Sequence, residues 1–336
     1  MRRFSPTRGF TLLELLVAVT ITLVLSGIML AVTINTLNLW RRTQNKFTAS
    51  SQAKLALDLI ERDLQTACYR TDGLGTTWLA VDVINLSGTL ISHGWQSAAT
   101  MKPSTAESQH LLPISVNGLE PAIADARFGL SGIWLRFIAT NVESGGSLPT
   151  AISYQIARRP LSGSNTTSTN PADIRYTLFR AAVANDKTIL SGNSVVSAAY
   201  GSASSTPTSS RSSSTLTNPN LSDALATNVV DFGVWLYVRD AGTGNLRRIY
   251  PATNGDLTHG AIDQAGAADA NRFPDVADVM MRVLTDEGAR QLDAMESPSS
   301  PLLPPAGLSP AEWWWSVVEA NSTVFVRRVE IKGGAL

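Results

Sequence analysis

The chain holds a single cysteine, Cys68, in 336 residues. An intramolecular disulfide is therefore impossible, and the cysteine-pair zinc patterns are excluded with it. Cys68 itself reads as a half-buried residue at a helix end, because a free cysteine usually behaves as a small hydrophobe. Histidine is scarce too: His93, His110 and His259 stand apart, with no i, i+4 pair to hold a metal. There is no Gly-x-Ser-x-Gly elbow, no phosphate loop and no dinucleotide fingerprint. Charge of either sign is not in excess, with 27 basic and 27 acidic residues and a net charge of +0, so no global field draws the chain to nucleic acid or anionic lipid. Proline is missing between Pro6 and Pro103, and Gly27 is the only glycine between Gly9 and Gly73. Nothing in that stretch stops a helix. Together these absences leave no catalytic constellation, no metal site and no cofactor motif, and they point away from an enzyme.

What is present is a long apolar run. From Phe10 to Trp40 the only ionisable side chain is Glu14, and the rest is mostly Leu, Val, Ile, Ala and Thr. About 20 such residues already cross a bilayer. A charge there costs roughly 2.5 kcal/mol or more, so Glu14 calls for a partner and a purpose. A secretory signal peptide has an apolar core of only about 7 to 15 residues followed by a small-residue cleavage site. Here Arg2, Arg3 and Arg8 precede the run as in a signal peptide, but the run is longer and its small residue, Gly9, comes before it. A plain membrane anchor would leave Glu14 unexplained.

The hexapeptide Gly9-Phe10-Thr11-Leu12-Leu13-Glu14 resembles the type IV prepilin signature. The resemblance implies cleavage by prepilin peptidase between Gly9 and Phe10, N-methylation of Phe10, and an assembly role for Glu14 as fifth residue of the processed chain. A buried cation beside a buried anion is tolerated when the two are paired. The implied pair joins Glu14 of one subunit to the Phe10 ammonium of a neighbouring pilin-like subunit and sets the axial register. Basic residues flank both ends of the span, Arg2, Arg3 and Arg8 on one side and Arg41, Arg42 and Lys46 on the other, so charge alone does not orient it. The resemblance does: a short leader in the cytoplasm, a single pass through the inner membrane, and a periplasmic head.

Beyond the membrane the helix is expected to continue to about residue 67. Leu55, Leu59, Ile60 and Leu64 fall at helical spacing to pack on a head, while Lys54, Asp58 and Arg62 offer four-residue charge pairs. After it the period shortens toward 2, with candidate strands at 78–86, 111–116, 132–139, 151–157, 174–181, 229–238, 276–284 and 323–331. Short polar connections favour antiparallel pairing. The expected fold is α+β and pilin-like, a long N-terminal α-helix packed on an antiparallel β-sheet head. Its divisions are a leader at 1–9, a membrane half of the helix at 10–40, an amphipathic half at 41–70 and a β-rich head at 71–336.

The order Leu135-Arg136-Phe137, Ser153-Tyr154-Gln155-Ile156, Tyr176-Thr177-Leu178-Phe179-Arg180 also resembles the heads of larger minor pseudopilins. It is similar to the J-type pseudopilin of type II secretion and the analogous minor pilin of type IV pili, with a fainter likeness to prepilin-like cassette proteins of verrucomicrobial bacteria. The Ser-rich segment at 201–220 reads as a surface loop, and 241–272 as loop around one short strand at 247–250. Asp256, Asp263 and Asp269 lack the spacing of a calcium loop and read as solvated loop carboxylates, while Asp275 and Asp278 flank a candidate strand. Residues 310–319 read as a short helix with Ser309 as N-cap and Glu312 three residues on. Its Trp313, Trp314 and Trp315 spread around the axis, so at least one faces solvent or a partner while another packs inward.

The function these readings imply is that of a minor prepilin-like subunit, a pseudopilin of a type II secretion or type IV pilus-like assembly. Its partners would be prepilin peptidase, other pilin-like subunits, the inner membrane and, indirectly, the assembly platform and its ATPase. No nucleic acid and no cofactor are expected. The competing reading is a pilin-like anchor that displays an adhesive or DNA-binding head.

Overall fold

The computed structural model describes residues 11–70, 75–83, 133–140, 148–160, 174–183, 185–190, 192–197, 221–251, 258–262, 268–295, 303–308, 310–332 and 334–335. The leader, the strand expected at 111–116 and the Ser-rich segment lie outside these residues. The chain forms two compact units, Met1–Thr48 and Ala49–Leu336.

The first unit is the apolar part of α1, a 54-residue helix that spans Leu12–Gln65 and passes through Gly27 without a break. Between Leu12 and Trp40 every described side chain is exposed, although nearly all are apolar. A helix that is apolar all round belongs in a protein core or in lipid, and this stretch is long enough to cross a bilayer. Its threonines suit that setting. Thr22, Thr33 and Thr36 each donate a hydroxyl hydrogen bond of 2.8 Å to the carbonyl four residues back, so these three hydroxyls need no water.

In the second unit α1 contributes residues 49–65, followed by β1 (Cys68–Tyr69), β2 (Leu79–Val83), β3 (Ile133–Thr140), β4 (Pro149–Pro160), β5 (Ile174–Ala182), α2 (Asn185–Leu190), β6 (Ala224–Thr227), β7 (Val229–Arg239), β8 (Leu246–Tyr250), β9 (His259–Ala261), β10 (Val276–Leu284), α3 (Asp286–Met295), α4 (Pro310–Ala320), β11 (Ser322–Glu330) and β12 (Gly334–Ala335). Six strands form an antiparallel sheet in the order β6-β5-β4-β3-β2-β9, and four form a second in the order β11-β10-β7-β8. β1 and β12 make a small parallel pair. The chain changes sheets between β6 and β7 at Asn228, whose φ of 61° lies in the left-handed region that Asn tolerates. The Asn228 carbonyl accepts a 2.8 Å bond from Leu284 N–H, which ties the corner to the end of β10. This is the expected α+β, pilin-like arrangement.

The core gathers Ala53, Ala56, Leu57, Ile60 and Leu64 of α1 with Phe137, Tyr154 and Leu178 of the larger sheet and Phe232, Val279 and Met281 of the smaller. The helix stripe differs from the expected one. Leu55 is 66% exposed and Leu59 only half-buried, because alanines at 53 and 56 let the backbone approach the strands and turn the neighbouring leucines outward. Asp58 also pairs across elements, since Arg327 of β11 binds both Asp58, at 2.8 Å, and Glu61.

A polar knot is buried inside this apolar contact. Asp63 of α1 accepts hydrogen bonds from Tyr154 Oη at 2.6 Å, from Arg180 Nε at 2.6 Å and from Arg180 Nη2 at 3.1 Å. The helix is thereby fixed to β4 and β5 at one residue. Burial first, and the Asp63 charge second, hold the Tyr154 phenol well above its ordinary pKa, while its bonds to Asp63 hold the Arg180 guanidinium above its own.

Other departures from the sequence reading are local. Cys68 lies beyond the helix in β1 and is fully buried rather than half-buried, and burial pushes its thiol up to about 12. The segment expected as loop around one strand holds two, since β9 adds to the edge of β2. α2 and α3 were not expected. α3 starts at a readable cap, where Gly288 N–H donates to Thr285 Oγ1 at 3.2 Å, and it packs with α4 in a satellite core of Tyr176, Leu292, Trp314, Trp315 and Val318. Trp314 and Trp315 are buried edge to face with centroids 4.9 Å apart, and Trp313 is half-exposed, which matches the expected spread. The cap expected at Ser309 lies outside the described residues.

Three consequences can be measured. A Cβ on Gly288 would stand 2.5 Å from Asn321 Cβ and 3.3 Å from its carbonyl oxygen, so Gly288→Ala should cost about 1–3 kcal/mol in chemical denaturation. Asp63→Ala leaves Arg180 without its anion and should cost about 3–5 kcal/mol. An unfolded phenol titrates near 10 while Tyr154 stays protonated well above that, so its contribution is complete below pH 10 and falls as pH rises further. Tyr154→Phe should make stability less steeply pH-dependent above 10, as read by denaturant midpoints.

Candidate functional site

The candidate site is the start of α1. The first four N–H groups of any helix lack partners within it, and in hydrocarbon no water can supply them. Thr11 and Glu14 answer two N–H groups there, one each. Glu14 N–H donates to Thr11 Oγ1 at 3.3 Å, and Thr11 N–H donates back to Glu14 Oε2 at 3.0 Å. This is the reciprocal capping box, with Thr11 as N-cap and Glu14 at the third helical position. The Thr11 hydroxyl also lies 3.0 Å from the same carboxylate oxygen, so one oxygen of Glu14 is engaged twice by one residue. A carboxylate in the first turn also meets the positive end of the helix dipole.

Of the three residues singled out from sequence, Glu14 is described, and Gly9 and Phe10 lie outside the described residues. Thr11 was missed, although Thr-x-x-Glu just before an apolar run is a legible cap signal. Its partner drew attention as a lone charge, and the threonine looked like one more residue of the run.

Elsewhere the polar residues hold the head together. Asp278 takes a bidentate bond from Arg328, with Nε at 2.7 Å and Nη2 at 2.6 Å, and burial together with Asp278 pushes the nearby Tyr237 phenol up to about 12. Asp275 accepts the Arg239 N–H at 2.6 Å, and Asp269 pairs with Arg247. Asp278 is therefore buried and paired. His259 is buried in β9 and donates from Nε2 to the Arg272 carbonyl at 3.0 Å. Asp256, Asp263, His93 and His110 lie outside the described residues. Among the described residues no group of three His, Cys, Asp or Glu is placed to hold a metal.

Residues 5–30 match the family model described as the prokaryotic N-terminal methylation motif. No curated protein and no solved structure matches the chain. The matched motif indicates a type IV prepilin-like substrate of prepilin peptidase, and with it assembly alongside other pilin subunits. The apolar helix Leu12–Trp40 is compatible with a single-pass membrane anchor.

Loss of the Thr11 hydroxyl should loosen the first turn. Thr11→Val should cost about 1 kcal/mol of local stability. Hydrogen exchange of the amides at 12–15, in detergent micelles, should quicken about five-fold on that basis. Thr11→Ser should restore the wild-type rate.

Proposed function

We propose that this chain is a minor pilin-like subunit, a pseudopilin, of a type II secretion or type IV pilus-like assembly. The observation that carries the reading is the methylation motif placed directly on an apolar helix whose single charge is Glu14. Residues 1–9 form the cytoplasmic leader, prepilin peptidase cuts between Gly9 and Phe10, and the new Phe10 amino group is methylated. Residues 10–40 lie in the inner membrane, and the head faces the periplasm. The subunit's work is assembly, with no chemistry of its own. A large head built from two sheets is ill suited to dense repetition along a fibre, which favours a minor position over a shaft subunit.

The electrostatics of assembly follow from the cap. Before processing, the Glu14 carboxylate has only Thr11 to bond with in the described structure. Cleavage leaves an ammonium one residue before Thr11, on a chain that packs among similar helices. A carboxylate within hydrocarbon gains most from a full opposite charge, so the stable arrangement pairs Glu14 with the Phe10 ammonium of a neighbour.

Two variants separate maturation from assembly. Gly9→Val should block processing, and mass spectrometry should find the full leader in place of an N-methylated Phe10. Glu14→Leu should be processed normally yet be lost from isolated fibres or pseudopilin complexes. Normal incorporation of Glu14→Leu would overturn the assembly role, and unchanged maturation of Gly9→Val would overturn the cut site.

A further inference from the structure

Among the described residues, the longest free sheet edge of the head is β11. It pairs with β10 on one side over nine residues in unbroken antiparallel register, from Val276↔Glu330 to Leu284↔Ser322. Bonds at the two ends fix which backbone groups face which way. Ile331 N–H donates to the Asp275 carbonyl at 2.9 Å, and Thr285 N–H donates to the Asn321 carbonyl at 2.8 Å. Hydrogen-bonded pairs alternate along an antiparallel ladder, so the odd-numbered residues of β11 bond to β10. The N–H and C=O groups of Ser322, Val324, Val326, Arg328 and Glu330 therefore point away from β10, and among the described residues they have no hydrogen-bond partner.

Soluble proteins blunt such edges with short strands, bulges or proline. The other edges of these two sheets are short: β6 has four residues, β8 five and β9 three. β11 has nine, no proline, no glycine and no bulge, and Val326 at its centre is 40% exposed. It is an open template for another strand.

The composition of the edge selects its occupant. Two β11 strands laid antiparallel about Val326 overlap over their whole length. Val326 then faces Val326, Val324 faces the aliphatic stem of Arg328, Ser322 faces Glu330, Thr323 faces Val329 and Phe325 faces Arg327. No like charges stand opposite, which cross-strand pairing disfavours. A shift of two residues that set Arg328 against Arg328 would be penalised, and the opposite shift, about Val324, would shorten the overlap, so the centred register combines full overlap with no opposed like charges. An isologous two-fold contact of this kind needs one self-complementary patch. Copies tethered in one membrane also meet at raised effective concentration.

We propose that β11 is a docking edge for β11 of a second copy of this chain, joining the two four-stranded sheets into one continuous sheet of eight. The contact is separate from the helix-mediated assembly proposed above and does not rest on it.

The test uses the full chain in its membrane. In the centred register the two Val326 Cα atoms form a hydrogen-bonded pair about 5.5 Å apart, within the usual disulfide range of about 4.4–6.8 Å. Val326→Cys should give a disulfide dimer of two identical chains under mild oxidation, with the buried Cys68 left out. Thr323→Cys, six residues from its own copy in this register and about 20 Å away, should give none. Val326→Pro removes an outward N–H and no bond to β10, as edge proline can. It should convert the detergent-solubilised chain from dimer to monomer by light scattering, with the circular-dichroism spectrum of the folded chain kept. Absence of a Val326→Cys dimer, equal cross-linking at residue 323, or a cross-link to a different protein would each overturn the proposal.

Discussion

A carboxylate at the start of a 54-residue helix, within a stretch that is apolar on every side, constrains the rest of the molecule. Hydrocarbon offers no hydrogen bonds, so every polar group on this stretch must be answered by the chain or by another protein. The hydroxyls of Thr22 and Thr33 are answered by carbonyls one turn back, and the amides of Thr11 and Glu14 by each other's side chains. The carboxylate is answered only in part, because two hydrogen bonds from one threonine do not neutralise its charge. A residual charge is a strong reason for a helix to seek a cationic neighbour, and the Phe10 ammonium proposed for another subunit would provide it.

The same helix meets a second solvent in the head. Along residues 49–65 the buried stripe is built from alanines as much as from large side chains, and that brings the backbone close to the strands. Close approach makes the Asp63 knot possible. Its carboxylate receives three bonds from two strands, so the charge is buried yet answered. A buried pair of this sort adds little net stability over an apolar contact, but it is expensive to break. It therefore fixes the position of the helix along β4 and β5 more than it adds stability. The two sheets depend in turn on Asn228, where a left-handed backbone lets β6 end and β7 begin on a different sheet.

The edge of the smaller sheet follows from the same architecture. β10 lies between β7 and β11, so among the described residues β11 is left with one edge of its backbone unpaired, and its Arg327 is held by Asp58 and Glu61 of α1. The strand is thus rigid and open together, which is the condition for adding another strand without paying to order the first.

The sequence by itself determined the anchor, its single charge, the processing motif, the antiparallel strands and the α+β arrangement. Each of these is a local pattern: a run too long for a core helix, a glycine before it, an acid within it, or alternation along one strand. Seven of the eight expected strands coincide with described ones, within a few residues at their ends, and the eighth, 111–116, lies outside the described residues. Thr11 was equally legible and was overlooked because its role appears only in company with Glu14. Tertiary structure alone decided the exposure of Leu55, the burial of Cys68, the pairing of β9 with β2, the three-residue knot at Asp63 and the open side of β11. Each depends on which elements lie next to one another across tens to hundreds of residues, and a linear pattern carries no record of that neighbour. The sequence states what each segment can bury; the fold decides what it is buried against.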